Sequence, residues 1–392
     1  MRALESLVPT RPATLGDAYT GRRNCLNALR LVLASMVLLA HATDLAGFSR
    51  LQVADTEIAT IALYGFFGIS GFLITKSAMT SSAGRYLWHR FLRIFPGFWF
   101  CLVVTAFVIA PLAWLLHSPS CSSLACVLST RIGSLGYVFH NSSLFIHQQS
   151  ILGSPGHVVG ALVWNGSLWS LSYEFLCYLA VLVLALGGLL QRRRALIVFV
   201  CALQTSIVVI TVIPSINTNF SVFHFWFLLN FMKFLMMFLT GALLYIYRDR
   251  VLNSRWLAIG SFAVFVGMLF LPRSGPSTAF TFDYPALAAP LLAYPLLWCG
   301  ARFSSIRVGA KNDLSYGVYI FGFPVEQLLA VGNVQRIGEV GFIITSFVLT
   351  LALASVSWYV IERNALRLRA VSLPFAWPVL RRPAELPNRT RL

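Results

Sequence analysis

The chain has 392 residues, of which 58% are hydrophobic and only 11% charged, and its mean hydropathy is +0.76. Soluble domains carry about 25% charged residues; there are too few polar groups here to coat so much apolar mass, and a soluble multidomain chain is excluded. The formal charge of +17 arises from 30 Lys and Arg against 13 Asp and Glu, with the basic residues in short clusters between apolar runs. That pattern sets membrane topology and argues against a nucleic-acid partner.

Residues 1–24 carry Arg2, Arg11, Arg22 and Arg23 and no apolar core, so they read as a cytoplasmic N-terminal segment, with the first span directing insertion. A helix needs about 20 apolar residues to cross a bilayer. The apolar runs predict about ten such helices, at 28–46, 58–79, 91–116, 168–189, 195–214, 224–247, 256–272, 284–300, 314–332 and 340–361. Alternate connections carry one Arg each (Arg50, Arg131, Arg273, Arg336). The others carry clusters: Arg85, Arg90 and Arg93; Arg192, Arg193 and Arg194; Arg248, Arg250 and Arg255; Arg302, Arg307 and Lys311. By the positive-inside rule both termini face the cytoplasm. The expected fold is an all-α polytopic membrane helix bundle, with a membrane domain over 25–363 and a basic cytoplasmic tail over 364–392 resting on the anionic inner leaflet. The long outer loop, 117–165, is too long for a simple turn. It contains Cys121 and Cys126, where an oxidising compartment permits a disulfide. No metal-ligand spacing is present, and no metal is expected.

Ionisable groups inside spans are costly and mark function. Arg30 and His41 are eleven residues apart on the first span; at 100° per residue they return to within about 20° of one face, about 16 Å apart along the axis. The spacing suits a long ligand with an anionic head in the cytosol and a reactive end in the bilayer. The alternative is a snorkelling Arg and a His bonded within the bundle. Arg90 and Arg93, at i and i+3, share a face and offer guanidinium forks to phosphate, or simply set topology. Gly65, Gly68 and Gly71, with Ser70 beside them, form a stripe for close helix packing or for a slim ligand. Glu174 lies in the fourth span with Trp169, Ser170 and Tyr173. A buried carboxylate must be paired or protonated, and Lys233 is a candidate partner. Asp313, Glu326 and Glu362 read mainly as structural or capping residues.

Taken in order, these segments resemble the acyltransferase 3 family of integral membrane acyltransferases, over about residues 24–363. The similar positions are Arg30 and His41; FFGISGFLIT, 66–75; Arg90, Arg93, Pro96 and Trp99; Ser167 to Glu174; Phe238, Gly241 and Tyr245; and Ser315 to Tyr319 followed by Pro324. Many relatives have a second His two residues before that Pro, where this chain has Gly322, so no role for that His carries over.

The resemblance implies a membrane-embedded O-acyltransferase of the bacterial cytoplasmic (inner) membrane. It would move an acyl group, by default acetyl, from cytoplasmic acyl-CoA to a hydroxyl of an extracytoplasmic or lipid-linked carbohydrate, with no tightly bound cofactor. It implies His41 as catalytic and Arg30, Arg90 and Arg93 as donor-binding; read from the residues, Glu174 joins His41 in the chemistry, and Gly68, Ser70 and Gly71 join the donor site. Trp169, Ser170 and Tyr173 suit the acceptor. Glu174 is expected toward the outer side, His41 near mid-membrane, and the donor's arm along the glycine stripe. Ten spans with a central His and Glu also describe a proton-coupled transporter, and buried polar groups that serve packing alone describe a scaffold.

Overall fold

The computed structural model describes residues 13–19, 24–116, 132–156, 163–212, 222–271 and 287–371. The expected Cys121–Cys126 disulfide and the tail beyond Val371 lie outside them. The elements are α1 (Leu15–Ala18), α2 (Leu26–Leu45), β1 (Gln52–Val53), β2 (Thr56–Glu57) and α3 (Ile58–Thr80), then α4 (Ala83–Leu116) and α5 (Ser134–Asn141). They continue with α6 (Trp169–Leu186), α7 (Arg193–Val212), α8 (Val222–Ile246), α9 (Arg255–Leu269), α10 (Ala289–Arg302) and α11 (Ser315–Val331), and end with α12 (Glu339–Ala370). Each of the ten apolar runs therefore folds as a helix. Among the described residues, seven helices (α2, α3, α4, α6, α7, α8 and α12) are long and apolar enough to cross a membrane. The other three expected spans, α9, α10 and α11, are helices of 15, 14 and 17 residues. Among the described residues, strand is confined to an antiparallel hairpin of two two-residue strands, Gln52 opposite Glu57 and Val53 opposite Thr56.

Two boundaries differ instructively from expectation. α4 starts at Ala83, behind Ser82 at its N-cap, about two turns before the expected apolar start at 91. The helix thus extends through its own basic cluster. α12 likewise continues beyond 361, through a π turn at Trp358–Glu362, and carries Arg367 and Arg369 in helical conformation. Apolarity marks where a helix is in lipid; it does not mark where helical hydrogen bonding stops.

The centre of the bundle is α3, with 72% of its apolar window buried, against 17% for α7 at the periphery. Small residues make this packing possible. A Cβ on Gly71 would lie 1.9 Å from the Phe238 carbonyl oxygen, and one on Gly241 would lie 2.1 Å from that of Gly68, so α3 and α8 meet backbone to backbone. The outward faces of α7, α9 and α12 expose Val198, Val264, Val340 and Val348, as apolar solvent requires.

Part of the long loop folds into the bundle. α5 packs beside a π turn of α4 (Thr105–Ile109), where the Ser134 hydroxyl donates to the Ala106 carbonyl at 2.7 Å. Further on, Trp164 is fully buried and the Asn165 amide donates to the Ile320 carbonyl at 2.8 Å. This inward tuck sets the depth at which α6 begins.

Candidate functional site

One end of the bundle holds a cavity of about 360 Å³ in which six elements converge. α2 supplies Arg30, α4 supplies Arg90 and Arg93 from adjacent positions on one face, the segment before α11 supplies Lys311 and Asp313, and the end of α12 supplies Arg369. Ser70 and Tyr178 also line it. Asp313 organises the cluster. Its Oδ1 accepts from the Ser315 amide at 3.3 Å and hydroxyl at 2.6 Å, at the first residue of α11. Its Oδ2 accepts from Arg93 Nη2 at 2.7 Å and Arg30 Nη1 at 3.4 Å. Burial opposes the charge on Asp313, but Arg93 and then Arg30 outweigh it, holding the carboxyl down at about 2.

Among the described lining residues, five cations face this single carboxylate. Among the described residues no carboxylate pairs with Arg90, which lies over the Tyr178 ring, 5.7 Å from its centre. The Nε–H groups of Arg30, Arg90 and Arg369 are buried without an acceptor. A buried donor left unpaired is expensive, more so when charged, and forked guanidinium donors match phosphate and carboxylate geometry. The cavity is built for an anion of more than one charge.

Inward of Arg30 lies a second, small cavity of about 30 Å³, lined by Arg30, Phe66, Ser170, Glu174 and Tyr319 among others. Glu174 accepts the Tyr178 hydroxyl one turn along α6. Ser170 and Tyr319 share a 2.5 Å hydrogen bond, and Tyr319 donates to the Ser167 carbonyl at 2.8 Å. Glu174, expected from its place in the sequence toward the outer side, thus shares a cavity with Arg30 of the arginine cluster. The cause is the buried 163–168 segment, which starts α6 deep in the bundle.

His41 occupies the other end of α2, one turn before Leu45, and so lies nearer the helix end than mid-membrane. Its ring meets Phe323 edge-on at 5.1 Å. It lines a pocket of about 20 Å³ with Asp44, Arg50 and Glu57, where Arg50 Nε bonds Asp44 at 2.8 Å and its Nη1 lies 3.8 Å from Glu57. Phe323 is held from behind by the long loop, since a Cβ on Gly166 would fall 2.5 Å from its ring. A water needs about 10–15 Å³ of such volume, so each of these small pockets admits about one or two waters. Phe66 lines the inner cavity in ring contact with Tyr319 at 6.0 Å, and Phe323 packs on the His41 ring.

The expected donor set therefore divides. Arg30, Arg90, Arg93 and Ser70 converge on the large cavity. Gly68 and Gly71 do not: Ala293 lies 3.2 Å from a Cβ on Gly68, and the Phe238 backbone fills the space at Gly71. The stripe is helix packing and offers no channel for a ligand. The aromatic pair separates from Ser170, with Trp169 against Tyr173 at 5.6 Å and Tyr173 against Phe227 at 5.0 Å. Gly322 faces Leu38 at ordinary contact distance.

Lys311, Asp313, Tyr178 and Arg369 were not read as site residues from sequence. A signal existed for the last: Trp358, Leu366 and Arg369, all cavity-lining, recur at helical spacing on one face. They fall partly beyond the expected end of the span.

The family model described as "Acyltransferase domain" matches residues 23–359. The chain is 29% identical to the O-acetyl transferase of Shigella phage Sf6 over 353 residues, 88% of this chain and 96% of that one. It is 27% identical to Nodulation protein 10 of Rhizobium leguminosarum bv. viciae over 385 residues, 89% and 95% of the two chains. No solved structure matches.

Proposed function

The chain belongs to the acyltransferase 3 family and is an O-acyltransferase; from that premise we propose that its donor is acyl-CoA, most simply acetyl-CoA, and its acceptor a carbohydrate hydroxyl. The observation that carries the donor is the cavity at Arg30, Arg90 and Arg93, with buried Nε–H groups lacking acceptors. Coenzyme A presents phosphates at one end and a thioester at the tip of a pantetheine arm roughly as long as the ~16 Å of helix axis between Arg30 and His41. With the phosphates on the arginines, the arm enters the narrow space at Ser170, Glu174 and Tyr319, not the closed glycine stripe. Passage to His41 requires Phe323 to swing aside, and that ring keeps bulk water from the thioester until an acceptor arrives.

His41 acts as the base. Its neutral imidazole takes the proton from the acceptor hydroxyl as the oxygen attacks the thioester carbonyl. The new C–O bond forms, the C–S bond breaks, and the leaving thiolate takes the proton from the His41 imidazolium, which returns it to the neutral base. The exposed Trp169, beside Tyr173, supplies an aromatic face for a sugar. The Arg-rich end lies in the cytoplasm, placing both termini there, in the cytoplasmic membrane of a bacterium; the clustered Arg residues support that orientation. The acetyl group is favoured by the name of the phage relative.

The test is transfer of radiolabel from acetyl-CoA to the glycan fraction of membranes with and without the protein. Label in alkali-labile ester only when the protein is present is the expected result. No protein-dependent label at any acyl chain length would overturn the donor assignment and favour transport.

A further inference from the structure

The last turn of α12 contributes to the cavity in a way the catalytic reading does not use. It is fixed against the start of α4: Trp88 Nε1 donates to the Leu368 carbonyl at 3.1 Å, and the His89 ring lies beside the Arg369 backbone. These contacts aim the Arg369 side chain at Arg90 and Arg93, within electrostatic range of both. Three guanidiniums repel one another unless an anion lies between them. Asp313 cannot serve all three, because its Oδ2 is already shared by Arg93 and Arg30 and its Oδ1 by Ser315. Arg369 and Arg90 each keep a buried Nε–H without an acceptor.

Depth orders the cluster. Arg30 opens on the inner cavity beside Glu174. Arg90 precedes Arg93 by three residues, about 4.5 Å nearer the start of α4, and Arg369 is pinned at the level of Trp88 and His89. Arg90 and Arg369 therefore form the mouth, the part of the cavity farthest from the thioester.

Resting on the acyl-CoA reading above, we propose that Arg369 and Arg90 form a separate anion subsite for the phosphomonoester on the donor's ribose. The C-terminal turn then distinguishes a 3′-phosphorylated donor from its dephosphorylated analogue. A forked guanidinium can accept such a group with two parallel hydrogen bonds.

The test is the affinity of the purified full-length protein for CoA and for 3′-dephospho-CoA, by calorimetry, in wild type, Arg369→Ala and Arg369→Gln. Wild type should bind CoA at least about tenfold more tightly. Both variants should lose most of that difference by weakening CoA alone, so an unchanged dephospho-CoA affinity reports an intact fold. Should Arg369→Ala bind neither compound, Arg369→Gln carries the comparison, since its shorter stem still packs against α4. CoA binding with the full difference retained in the variants, or no difference in wild type, overturns this inference and leaves the acyl-CoA reading standing. Failure of wild type to bind either compound removes both.

Discussion

The two ends of α2 carry the same kind of residue in opposite states. At Arg30 the helix opens on about 360 Å³ with five cations, one carboxylate and buried donors awaiting an acceptor. At His41 it faces about 20 Å³, an aromatic ring at 5.1 Å, and the locally paired charges Arg50, Asp44 and Glu57. The first end is preorganised for a ligand; the second is closed until something moves. Such a division lets binding energy gathered from phosphates be used to order a reactive end elsewhere in the molecule. With acyl-CoA as the proposed donor, it would also keep the thioester dry.

The sharpest way to break this comparison is to remove the chemistry and leave the donor end intact. His41→Ala should lower label transfer by about 10²–10⁴-fold, the usual contribution of a positioned base, at matched protein levels in membranes. Asp313→Ala attacks the other end. Removing one partner of a buried ion cluster leaves Arg30 and Arg93 uncompensated, and a stability loss of about 3 kcal/mol is expected, read as a lower thermal midpoint in detergent. Gly71→Ala tests whether the stripe is packing. Its Cβ would meet the Phe238 backbone, so it should destabilise by about 1–3 kcal/mol, while the surviving folded protein keeps its donor affinity; a selective loss of CoA binding would restore the stripe as a ligand channel.

The smallest effect concerns pH. The Asp313 carboxyl is held at about 2, below the ~3.9 of an unfolded chain. A lowered folded-state value means that its contribution to stability is fully present above about pH 4 and is lost only as pH falls through about 2. The thermal midpoint of wild type should therefore show no Asp313-dependent change between pH 5 and 8, and the Asp313→Ala penalty should stay constant there and shrink only in acid.

Much of this was legible before any coordinates, and the exceptions have physical causes. Apolar length located all ten helices, with α2 and α3 within about two residues at each end. It failed at the basic starts and ends of α4 and α12, where helix continues in polar surroundings. Arg30, Arg90 and Arg93 were legible as a set because charge inside or at the edge of lipid is costly. Asp313 was readable as a structural residue at the start of a span, but not as the counter-ion of two distant arginines, because that pairing joins positions 220 and 283 residues apart. The start of α6 was legible to within one residue, but not that Glu174 would share a cavity with Arg30, because that depends on the buried loop before α6 and on how the helices pack. The glycine stripe had two readings at the sequence level, and only the neighbour across the interface decides between them.

The central claim is that the donor is held at the arginine end, independently of the histidine end. The most direct measurement is the acetyl-CoA dissociation constant of wild type, His41→Ala and Arg90→Ala, taken on the same purified preparations. The account predicts that His41→Ala matches wild type within about twofold, whereas Arg90→Ala is weaker by about tenfold or more, the loss of a charge-assisted contact. Equal weakening in both variants, or an unchanged constant in Arg90→Ala, would contradict it.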